Sequence, residues 1–409
     1  MNKKVIVSHP GKQYVHQMLF ALQQNNRLQL FITSIWYKPS SLLYSFILKI
    51  PLAGKFIYNK FLKKKFYTGQ QDDRILQYPF YEIKRQLLVQ FSVKYRLEKY
   101  VFEVEKAHDK YVAGKLSKLK PDVFIGYEKS SLESFKIVKQ QGGTTVLDLA
   151  QVHYKYLIEL SETQETFTNL FEDQELFDAI NKVKAEEYKY ADYILTLSEF
   201  AKWTLMKFGI EEQKVKVVSL GYNPQIFMPK KDYSRKKGLK LVYSGTFTRR
   251  KGIHLLLMTL AELNISDIEL TVIGPLLDGE DLLKEFKGLF TYYDFLHHEE
   301  LVKHLQAADV YVFPSFLDSW AMTVIEAMGC GLPVIVTQNT GAKDAVRNGE
   351  TGFIIPVNDK ERLKETILYF YNQKSEVERM GKNAASAALG YTWQQYYNQI
   401  NKIVDQISN

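Results

Sequence analysis

Short, continuously apolar runs alternate with longer amphipathic stretches along most of this 409-residue chain. Such runs, rich in Val, Ile and Leu, are typical of strands covered on both faces, as in a parallel sheet. The predicted strands are Lys4–Ser8, Leu28–Ser34, Asp122–Gly126, Thr144–Leu149, Tyr193–Leu197, Val215–Leu220, Leu239–Tyr243, Ile268–Ile273, Val310–Pro314, Pro333–Thr337 and Gly352–Ile355. The stretches between them show helical spacing of apolar residues, for example at Ile253, Leu256, Leu257 and Leu260. This alternation predicts an α/β protein with parallel sheets.

A polar stretch divides the pattern into two halves. Residues 223–238 contain two Pro and five Lys or Arg, as expected of a linker. We therefore predict an N-terminal domain over residues 1–222, a linker over 223–238 and a C-terminal domain over 239–391. Two doubly wound sheets place a cleft at the carboxyl ends of their strands, and ligands of open α/β folds bind there.

The chain carries few signals for export or membrane insertion. Its single Cys, Cys330, excludes an intrachain disulfide and indicates a reducing compartment. The first apolar run stops at His9 and Pro10, too early for a secretory signal. No window reaches the roughly 20 apolar residues that a spanning helix needs. These features predict a cytoplasmic protein.

The net charge of +8 is concentrated in one segment. Residues 38–67 hold seven Lys and no acid, so the rest of the chain is nearly neutral, which argues against a broad nucleic-acid-binding face. Nine aromatic residues fall within residues 36–67. Lys mixed with aromatics suits peripheral contact with an anionic membrane. A helical hairpin packed on its own sheet and a positive patch for an anionic acceptor are the alternatives.

Three adjacent cations, Arg249, Arg250 and Lys251, lie between a predicted strand and an amphipathic helix. Cations at the carboxyl end of a parallel strand suit an anionic ligand, and Gly245 lets the backbone approach it closely. A phosphate gains further from the positive end of the following helix. A solvated basic turn explains the same residues equally well.

Two acids, Asp318 and Glu326, follow the strand Val310–Pro314. Their spacing of eight residues is a little over two helical turns, so both carboxylates can face one cleft. Apolar residues flank Glu326, and a carboxylate in such a place is costly unless it is hydrogen-bonded. Ligand hydroxyls could supply those bonds. For two acids alone, a helix-capping Asp318 and an internally paired Glu326 is the simpler interpretation.

Taken together and in order, these stretches resemble glycosyltransferase family 4, whose members are retaining enzymes with the GT-B fold. The family carries G-R-x-x-x-x-K-G after a strand, then P-S-x-x-E/D-G-F-G-x-x-x-x-E-A-M-A-x-G-x-P-V-I, and later N/D-G-x-x-G-F. The matching residues are Gly245, Lys251, Gly252, Pro314, Ser315, Asp318, Glu326, Ala327, Met328, Gly331, Pro333, Val334, Ile335, Asn348, Gly349, Gly352 and Phe353. The resemblance implies two Rossmann-like domains facing a central cleft, with a last helix, residues 392–409, that crosses back to the first domain.

The resemblance also implies roles for residues of the second domain. Lys251 would hold the donor diphosphate, and Arg249 or Arg250 would share this role because Thr246 stands where the family has Arg. Glu326 would bind the nucleotide ribose and Asp318 the hydroxyls of the transferred sugar. The backbone of Ala321, Met322 and Thr323 would meet the sugar and the phosphates. Ser319, Trp320 and Ala321 replace the family's Gly-Phe-Gly, which could change the donor sugar that fits.

Matches in the first domain are looser. In the family a His after the fourth strand commonly lies near the transferred sugar, which makes His153 a candidate, although a lone His is more often an ordinary core or surface residue. His9 and Gly11 would lie near donor and acceptor. Glu128 could line the acceptor side, and an exposed loop acid is the alternative.

The implied function is a retaining, metal-independent glycosyltransferase that needs no cofactor beyond its nucleotide-sugar donor, whether linked to UDP or GDP. The acceptor would be a glycan, and a lipid-linked one because acceptors of this family are often lipid-linked, in surface polysaccharide or lipopolysaccharide synthesis at the inner face of the membrane. Two alternatives stay open: a soluble GT-B synthase or phosphorylase, and a degenerate GT-B scaffold that binds without transferring.

Overall fold

A computed structural model describes residues 3–37, 42–51, 54, 74–89, 96–167, 173–234 and 237–407. Its strands form two sheets in which all pairings are parallel. In the first sheet the strands are β1 Val5–Ser8, β2 Leu28–Thr33, β3 Ile75–Gln77, β4 Val123–Tyr127, β5 Thr144–Leu149, β6 Tyr193–Thr196 and β7 Val215–Val217. In the second they are β8 Leu239–Ser244, β9 Ile268–Ile273, β10 Thr291–Tyr293, β11 Val310–Phe313, β12 Val334–Thr337 and β13 Gly352–Ile355.

Helices connect successive strands on both faces of each sheet. The α-helices are Val15–Gln24, Leu42–Lys49, Phe80–Val89, Arg96–Leu119, Leu132–Gln140, Tyr154–Thr163, Gln174–Tyr190, Glu199–Lys207, Ile253–Leu263, Glu280–Glu285, His298–Ala307, Met322–Gly329, Lys360–Asn372, Lys374–Ala388 and Trp393–Gln406. Short 3₁₀ turns include Arg249–Lys251 and Gly341–Ala345. The predicted apolar stripe on Ile253–Leu263 faces the core, because Ile253, Leu256, Leu257 and Leu260 are all buried.

The strand orders confirm the predicted GT-B fold. The first sheet runs β3-β2-β1-β4-β5-β6-β7 and the second β10-β9-β8-β11-β12-β13, so each order reverses next to its first strand. At such a reversal the helices on either side diverge and leave a crevice at the carboxyl ends of the strands. Central strands such as β4, β11 and β12 are buried along their whole length, as their unbroken apolar sequences require.

The last helix, Trp393–Gln406, packs on the first domain. Its Asn401 side chain donates a hydrogen bond to the carbonyl of Ala21, 2.9 Å away, and its Asp405 pairs with Arg27 at 2.7 Å. Both partners belong to the helix Val15–Gln24 and the turn that follows it. The chain end therefore joins the two domains a second time, beside the connection through residues 223–238.

Two strands were missing from the prediction, β3 and β10. Each is three residues long and lies at the outer edge of its sheet, with sequences Ile-Leu-Gln and Thr-Tyr-Tyr. Such short segments carry neither a continuous apolar run nor a clear alternation. Edge strands are commonly short in this way, because a long exposed edge invites unwanted pairing.

The basic segment, residues 38–67, is described only over residues 42–51 and 54, and the remainder lies outside the described residues. The described part contains the helix Leu42–Lys49. Tyr44 packs inward against Tyr37, with ring centroids 5.4 Å apart, and its hydroxyl donates to Gln77 Oε1 at 2.9 Å. Phe46 instead is 70% exposed. Among the described residues, no helix has the length and apolar character needed to cross a bilayer.

Candidate active site

Two adjoining cavities open at the carboxyl ends of the second sheet's strands. The larger, of 1110 Å³, lies mostly within the second domain and is lined by Gly274 and Glu326 among others. The smaller, of 590 Å³, is lined by both domains. Four residues line both cavities, and they are Gly245, Thr246, Met322 and Thr323. The two cavities therefore form one cleft that narrows where the turn after β8 faces the start of the helix Met322–Gly329.

The turn after β8 places its three cations differently. Lys251 lines the smaller cavity, where its ammonium pairs with the carboxylate of Asp318. Arg249 pairs with Asp281 on the neighbouring helix Glu280–Glu285 and lines neither cavity. Arg250 is half-buried and also lies outside both linings. Of the three predicted cations, Lys251 is thus the one that the structure brings into the cleft.

Both carboxylate oxygens of Asp318 have partners. Oδ1 accepts hydrogen bonds from the backbone N–H groups of Trp320 and Ala321, at 3.0 and 2.8 Å, and Oδ2 pairs with Lys251. Burial pushes the pKa of Asp318 up, but the Lys251 charge and these hydrogen bonds outweigh it and hold the pKa below its usual value. Burial lowers the pKa of Lys251, against the pull of Asp318. Asp318 therefore stabilises the turn that precedes the helix and fixes the Lys251 ammonium in the cleft.

Glu326 lies on the helix Met322–Gly329, in the wall of the larger cavity. It is 9% exposed and lines the larger cavity, yet among the described residues its carboxylate makes no hydrogen bond or ion pair. Burial raises the pKa of Glu326 to about 8. The internal pairing considered from the sequence is therefore wrong for Glu326. A buried carboxylate that only a cavity can satisfy is the arrangement expected of a ligand-binding group.

The start of the helix Met322–Gly329 faces the same narrowing. Within the described part of the chain, the N–H groups of Met322 and Thr323 donate to no protein acceptor, as is usual for the first turn of a helix. Ala321, just before them, adopts φ +63°, a conformation in which a side chain costs about 1 kcal/mol relative to Gly. The family has Gly at this position, which adopts this conformation without strain. Ala321 adopts the same left-handed conformation despite its side chain.

Ser319 and Trp320, which replace the first Gly and the Phe of the family's Gly-Phe-Gly, make hydrogen bonds between the two domains. The Ser319 hydroxyl donates to the carbonyl of Ala150 at 2.6 Å, and the Trp320 indole N–H donates to the carbonyl of Leu220 at 3.0 Å. A Gly and a Phe could make neither bond. The Ser198 hydroxyl also donates to the carbonyl of Ser319, at 2.7 Å. These substitutions therefore tie the loop beside the cleft to the first domain.

His153 does not line either cavity. Its Nδ1 accepts a hydrogen bond from the N–H of Lys155 at 3.1 Å, so it caps the helix Tyr154–Thr163. Its ring lies between the rings of Tyr154 and Phe208, with centroids 4.7 and 4.9 Å away. Burial lowers the pKa of His153 to about 4, so the imidazole is neutral at physiological pH. The structure gives this residue a packing role, and its predicted place near the sugar is untested.

The three acceptor-side candidates separate into two groups. His9 and Gly11 line a small cavity of 220 Å³ on the first domain, and the Gly11 N–H donates to His9 Nδ1 at 2.9 Å. Glu128 is 3% exposed, so the exposed-loop alternative is wrong. Its carboxylate accepts a hydrogen bond from the Tyr188 hydroxyl at 2.7 Å and pairs with Lys184 at 3.1 Å. Glu128 thus lies in a buried polar network beneath the surface of that domain.

Three site residues of the first domain were not predicted from the sequence. Gln13 and Tyr14, in the loop after β1, and His16, in the first turn of the helix Val15–Gln24, line the smaller cavity. The Tyr14 hydroxyl donates to Asp148 Oδ1 at 2.8 Å, and burial raises the pKa of Asp148 to about 7 against that bond. The available signal was position: these residues directly follow Gly11 at the carboxyl end of β1.

Gly252 keeps Lys251 in place, and its replacement should be costly. At φ +74° an added Cβ would lie 1.9 Å from the carbonyl oxygen of Pro314. We expect Gly252→Ala to lower the free energy of unfolding by at least about 3 kcal/mol, since left-handed strain and a backbone overlap add. Gly288 at φ +89° is the matched control, because its Cβ would meet nothing within 4 Å. Gly288→Ala should cost about 1 kcal/mol. Urea unfolding of both variants measures the difference, and equal losses would contradict the overlap.

The raised pKa of Glu326 predicts a pH-dependent stability. Because the folded state binds this proton more tightly than the unfolded state, Glu326 adds stability that is complete below about pH 4.5 and lost as the pH rises to about 8. Glu326→Gln removes this dependence. We expect the variant to gain stability relative to the unsubstituted protein between pH 5 and pH 9, by a few kcal/mol. Urea unfolding across that pH range tests this, and parallel curves would show that Glu326 is already ionised in the folded protein.

The second domain matches a known family. Residues 225–387 match the family model described as glycosyl transferases group 1. The D-inositol 3-phosphate glycosyltransferase of Paenarthrobacter aurescens is 26% identical over 205 residues, 46% of this chain and 50% of that protein. The capsular polysaccharide biosynthesis glycosyltransferase CapM of Staphylococcus aureus is 29% identical over 210 residues, 46% of this chain and 55% of that one. The chain thus spans about half the length of the curated relatives that it matches.

Solved structures similar to this chain cover both domains. Sucrose-phosphate synthase from Thermosynechococcus elongatus has a TM-score of 0.70 at 17% identity, covering 99% of this chain and 98% of that one. The Anabaena protein HepE in complex with UDP-glucose has a TM-score of 0.64 at 14% identity, covering 99% and 100%. At such identities the likeness concerns the fold alone, and it covers both domains.

Proposed function

We propose that this protein is a retaining glycosyltransferase that moves a sugar from a nucleotide-sugar to a glycan acceptor. The observation that carries the proposal is the cleft itself. Glu326 is buried on the wall of the larger cavity and the Lys251 ammonium lines the smaller one, with the N–H groups of Met322 and Thr323 where the two cavities meet. Among the residues that the structure describes, neither the Glu326 carboxylate nor these two N–H groups has a protein partner. A ribose matches Glu326, a diphosphate matches the helix N–H groups, and a sugar matches the space beside Lys251.

The donor would lie across both cavities. Its nucleoside occupies the larger cavity, where the ribose hydroxyls donate to the Glu326 carboxylate. Its diphosphate lies at the narrowing against the N–H groups of Met322 and Thr323, where the helix dipole favours negative charge. The sugar then enters the smaller cavity beside Lys251, Asp318 and the first domain. UDP-glucose bound to HepE supports a donor of this class.

Lys251 would carry most of the chemistry. As the bond between the anomeric carbon and the phosphate oxygen breaks, negative charge grows on the departing diphosphate, and a fixed ammonium stabilises it. The acceptor hydroxyl attacks from the same face, and its proton passes to the departing phosphate. Because Lys251 and the helix start supply the positive charge, this scheme needs neither a metal ion nor a further cofactor.

The acceptor would approach from the first domain and be carried on a lipid. CapM is named for capsular polysaccharide biosynthesis, which supports an acceptor of the cell-surface type. Phe46 and Ile50, on and beside the helix Leu42–Lys49, are 70% and 42% exposed. The sequence of residues 38–67 also holds seven Lys, and each Lys near an anionic leaflet contributes on the order of 1 kcal/mol to binding. The exposed apolar side chains and the Lys-rich sequence support peripheral contact at the inner face of the membrane.

A thermal-shift screen against UDP- and GDP-linked sugars tests the donor. A ligand that binds only the folded state raises its stability by mass action, so one base and sugar should raise the melting temperature above the rest. The shift should be smaller for the free sugar than for the nucleotide-sugar. If no nucleotide-sugar or nucleoside diphosphate raises the melting temperature, the proposed donor class is wrong.

Co-sedimentation with liposomes tests the membrane contact. We expect the full chain to sediment with anionic vesicles at low salt, and to be released as the salt concentration rises, because exposed charges are then screened. Neutral phosphatidylcholine vesicles serve as the control. Failure to sediment with anionic vesicles at low salt would exclude the membrane contact and leave the transferase proposal intact.

A further inference from the structure

The larger cavity carries charged side chains that the proposed ribose and diphosphate contacts do not use. Glu299, Glu300 and Lys303 line it, all three from the helix His298–Ala307. Residues three and four apart lie on one side of a helix, so the two carboxylates and the ammonium form one polar strip. Glu326, 9% exposed and without a protein partner among the described residues, lines the same cavity, and such a group points to a ligand there.

The three side chains of the polar strip are exposed, and a ligand in the cavity can reach them. Glu299 stands four residues before Lys303, a spacing at which a carboxylate and an ammonium often pair on a helix. Here neither acid pairs with Lys303, and none of the three side chains bonds to any other residue that the structure describes. Two carboxylates and one ammonium are therefore available to a ligand.

Flat and aliphatic side chains lie beside the polar strip. Phe295 lines the cavity although it is 67% exposed, and its ring meets the His297 ring edge-on, with centroids 5.1 Å apart. Ile273, Pro275 and Leu296 add aliphatic surface. Apolar walls with a few polar groups suit a heteroaromatic base. A volume of 1110 Å³ accommodates a purine or a pyrimidine nucleoside, so size does not select the base and the polar strip must do so.

Two acceptors beside one donor match the hydrogen-bonding edge of guanine. Guanine presents two adjacent donors, N1–H and the N2 amino group, followed by the acceptor O6. A carboxylate accepts from both donors at once, and an ammonium donates to O6. Uracil presents its one donor, N3–H, between two carbonyl oxygens, so a carboxylate there would also face two acceptors. Adenine and cytosine each offer an amino group next to an acceptor nitrogen, which a carboxylate also opposes.

We propose that the larger cavity selects a guanosine diphosphate donor, with the Glu299 and Glu300 carboxylates accepting from guanine N1–H and N2 and the Lys303 ammonium donating to O6. The inference rests on the proposed transferase function and deepens it, because it assigns the choice of donor base to one helix. Glu326 binds the ribose of the same nucleoside from the facing wall formed by the helix Met322–Gly329.

Isothermal titration calorimetry of the full chain with GDP, UDP, ADP and inosine diphosphate tests the selection. We expect GDP to bind about 10- to 100-fold more tightly than UDP or ADP, as for one bidentate base contact. Inosine diphosphate keeps N1–H and O6 but lacks the amino group, so its affinity should lie between those of GDP and UDP. Equal or tighter binding of UDP or ADP would overturn the inference and leave the transferase proposal intact. Absence of binding by all four would overturn the proposed function and this inference with it.

Variants of the helix His298–Ala307 test the assignment to these side chains. Glu299→Gln/Glu300→Gln should lower the ratio of GDP to UDP affinity about 10-fold or more, and Lys303→Met should weaken GDP and inosine diphosphate alike. The matched control is Glu280→Gln, an exposed acid in the first turn of another helix, outside both cavity linings, which should keep the ratio. This ratio does not depend on the fraction of folded protein, so a loss of stability does not imitate the result. A double variant that keeps the full preference for GDP would overturn the assignment.

Discussion

Replacing Lys251 by Met should slow sugar transfer by about 10³-fold. Of the three adjacent cations, Lys251 is the one that the structure places in the cleft, and its ammonium is positioned by the half-buried carboxylate of Asp318. Without it, the charge that grows on the leaving diphosphate would lose this fixed ammonium and keep the helix start. The loss should appear mainly in kcat, because the interaction strengthens as the bond breaks. Steady-state rates with a donor identified by thermal shift measure it.

Two further variants make this result interpretable. Arg249→Met removes a neighbouring cation that pairs with Asp281 outside the cleft, so its kcat should stay within a few-fold of the unsubstituted protein. Lys251→Met also leaves the half-buried Asp318 carboxylate without its cation, although its two backbone hydrogen bonds remain, which should cost about 3 kcal/mol of stability. The double variant Lys251→Met/Asp318→Asn should regain part of this stability without regaining activity. If activity returned with stability, Lys251 would be a structural residue.

Glu326→Ala should weaken donor binding by about 10- to 100-fold. The Glu326 carboxylate is buried against the larger cavity and has no protein donor among the described residues, so its hydrogen bonds are available to the ribose. The loss should appear for the nucleoside diphosphate alone as well as for the complete donor. Isothermal titration calorimetry with both ligands measures it.

The matched control for Glu326 is Glu285→Ala, which removes an exposed acid of the same domain outside the cavity linings and should leave donor affinity unchanged. Glu326→Ala also separates an enzyme from a degenerate scaffold. An enzyme should lose most of its transfer at donor concentrations near the original Kd. A protein that keeps its full nucleotide affinity after Glu326→Ala would not use this cavity for the ribose.

The architecture was readable from the sequence because parallel strands carry their signal locally. Thr144–Leu149, Ile268–Ile273 and Gly352–Ile355 have the predicted bounds, since each apolar run is bordered by polar or turn-forming residues. The three-residue strands β3 and β10 were missed, because their pairing is decided by the neighbouring strand and not by their own sequence.

The second domain's part of the site was predicted better than the first domain's. Asp318 and Glu326 occupy one segment whose geometry follows from a strand, a loop and a helix, so spacing places both at the cleft. The two carboxylates differ in their partners, because those partners come from elsewhere in the chain. Asp318 meets Lys251, 67 residues earlier, whereas Glu326 meets no cation among the described residues. Sequence spacing does not contain that difference.

In the first domain the chemistry depends on contacts between distant segments. Glu105 and Lys129 belong to different elements, and their ion pair beside His9 could not be read from either segment. His153 was favoured by its position after β5, but its ring packs among Tyr154, Tyr188 and Phe208. Aromatic packing of this kind is set by the tertiary fold, so no local pattern distinguishes such a His from one that faces a ligand.

The most direct test of the account follows the release of nucleoside diphosphate from UDP- and GDP-sugars by NMR, in the presence of EDTA and of glycan acceptors. We predict that the full chain releases the diphosphate from one donor, that Lys251→Met releases it about 10³-fold more slowly, and that Arg249→Met retains the activity. Absence of release from every donor, or equal release by Lys251→Met, would contradict the assignment of sugar transfer to this cleft.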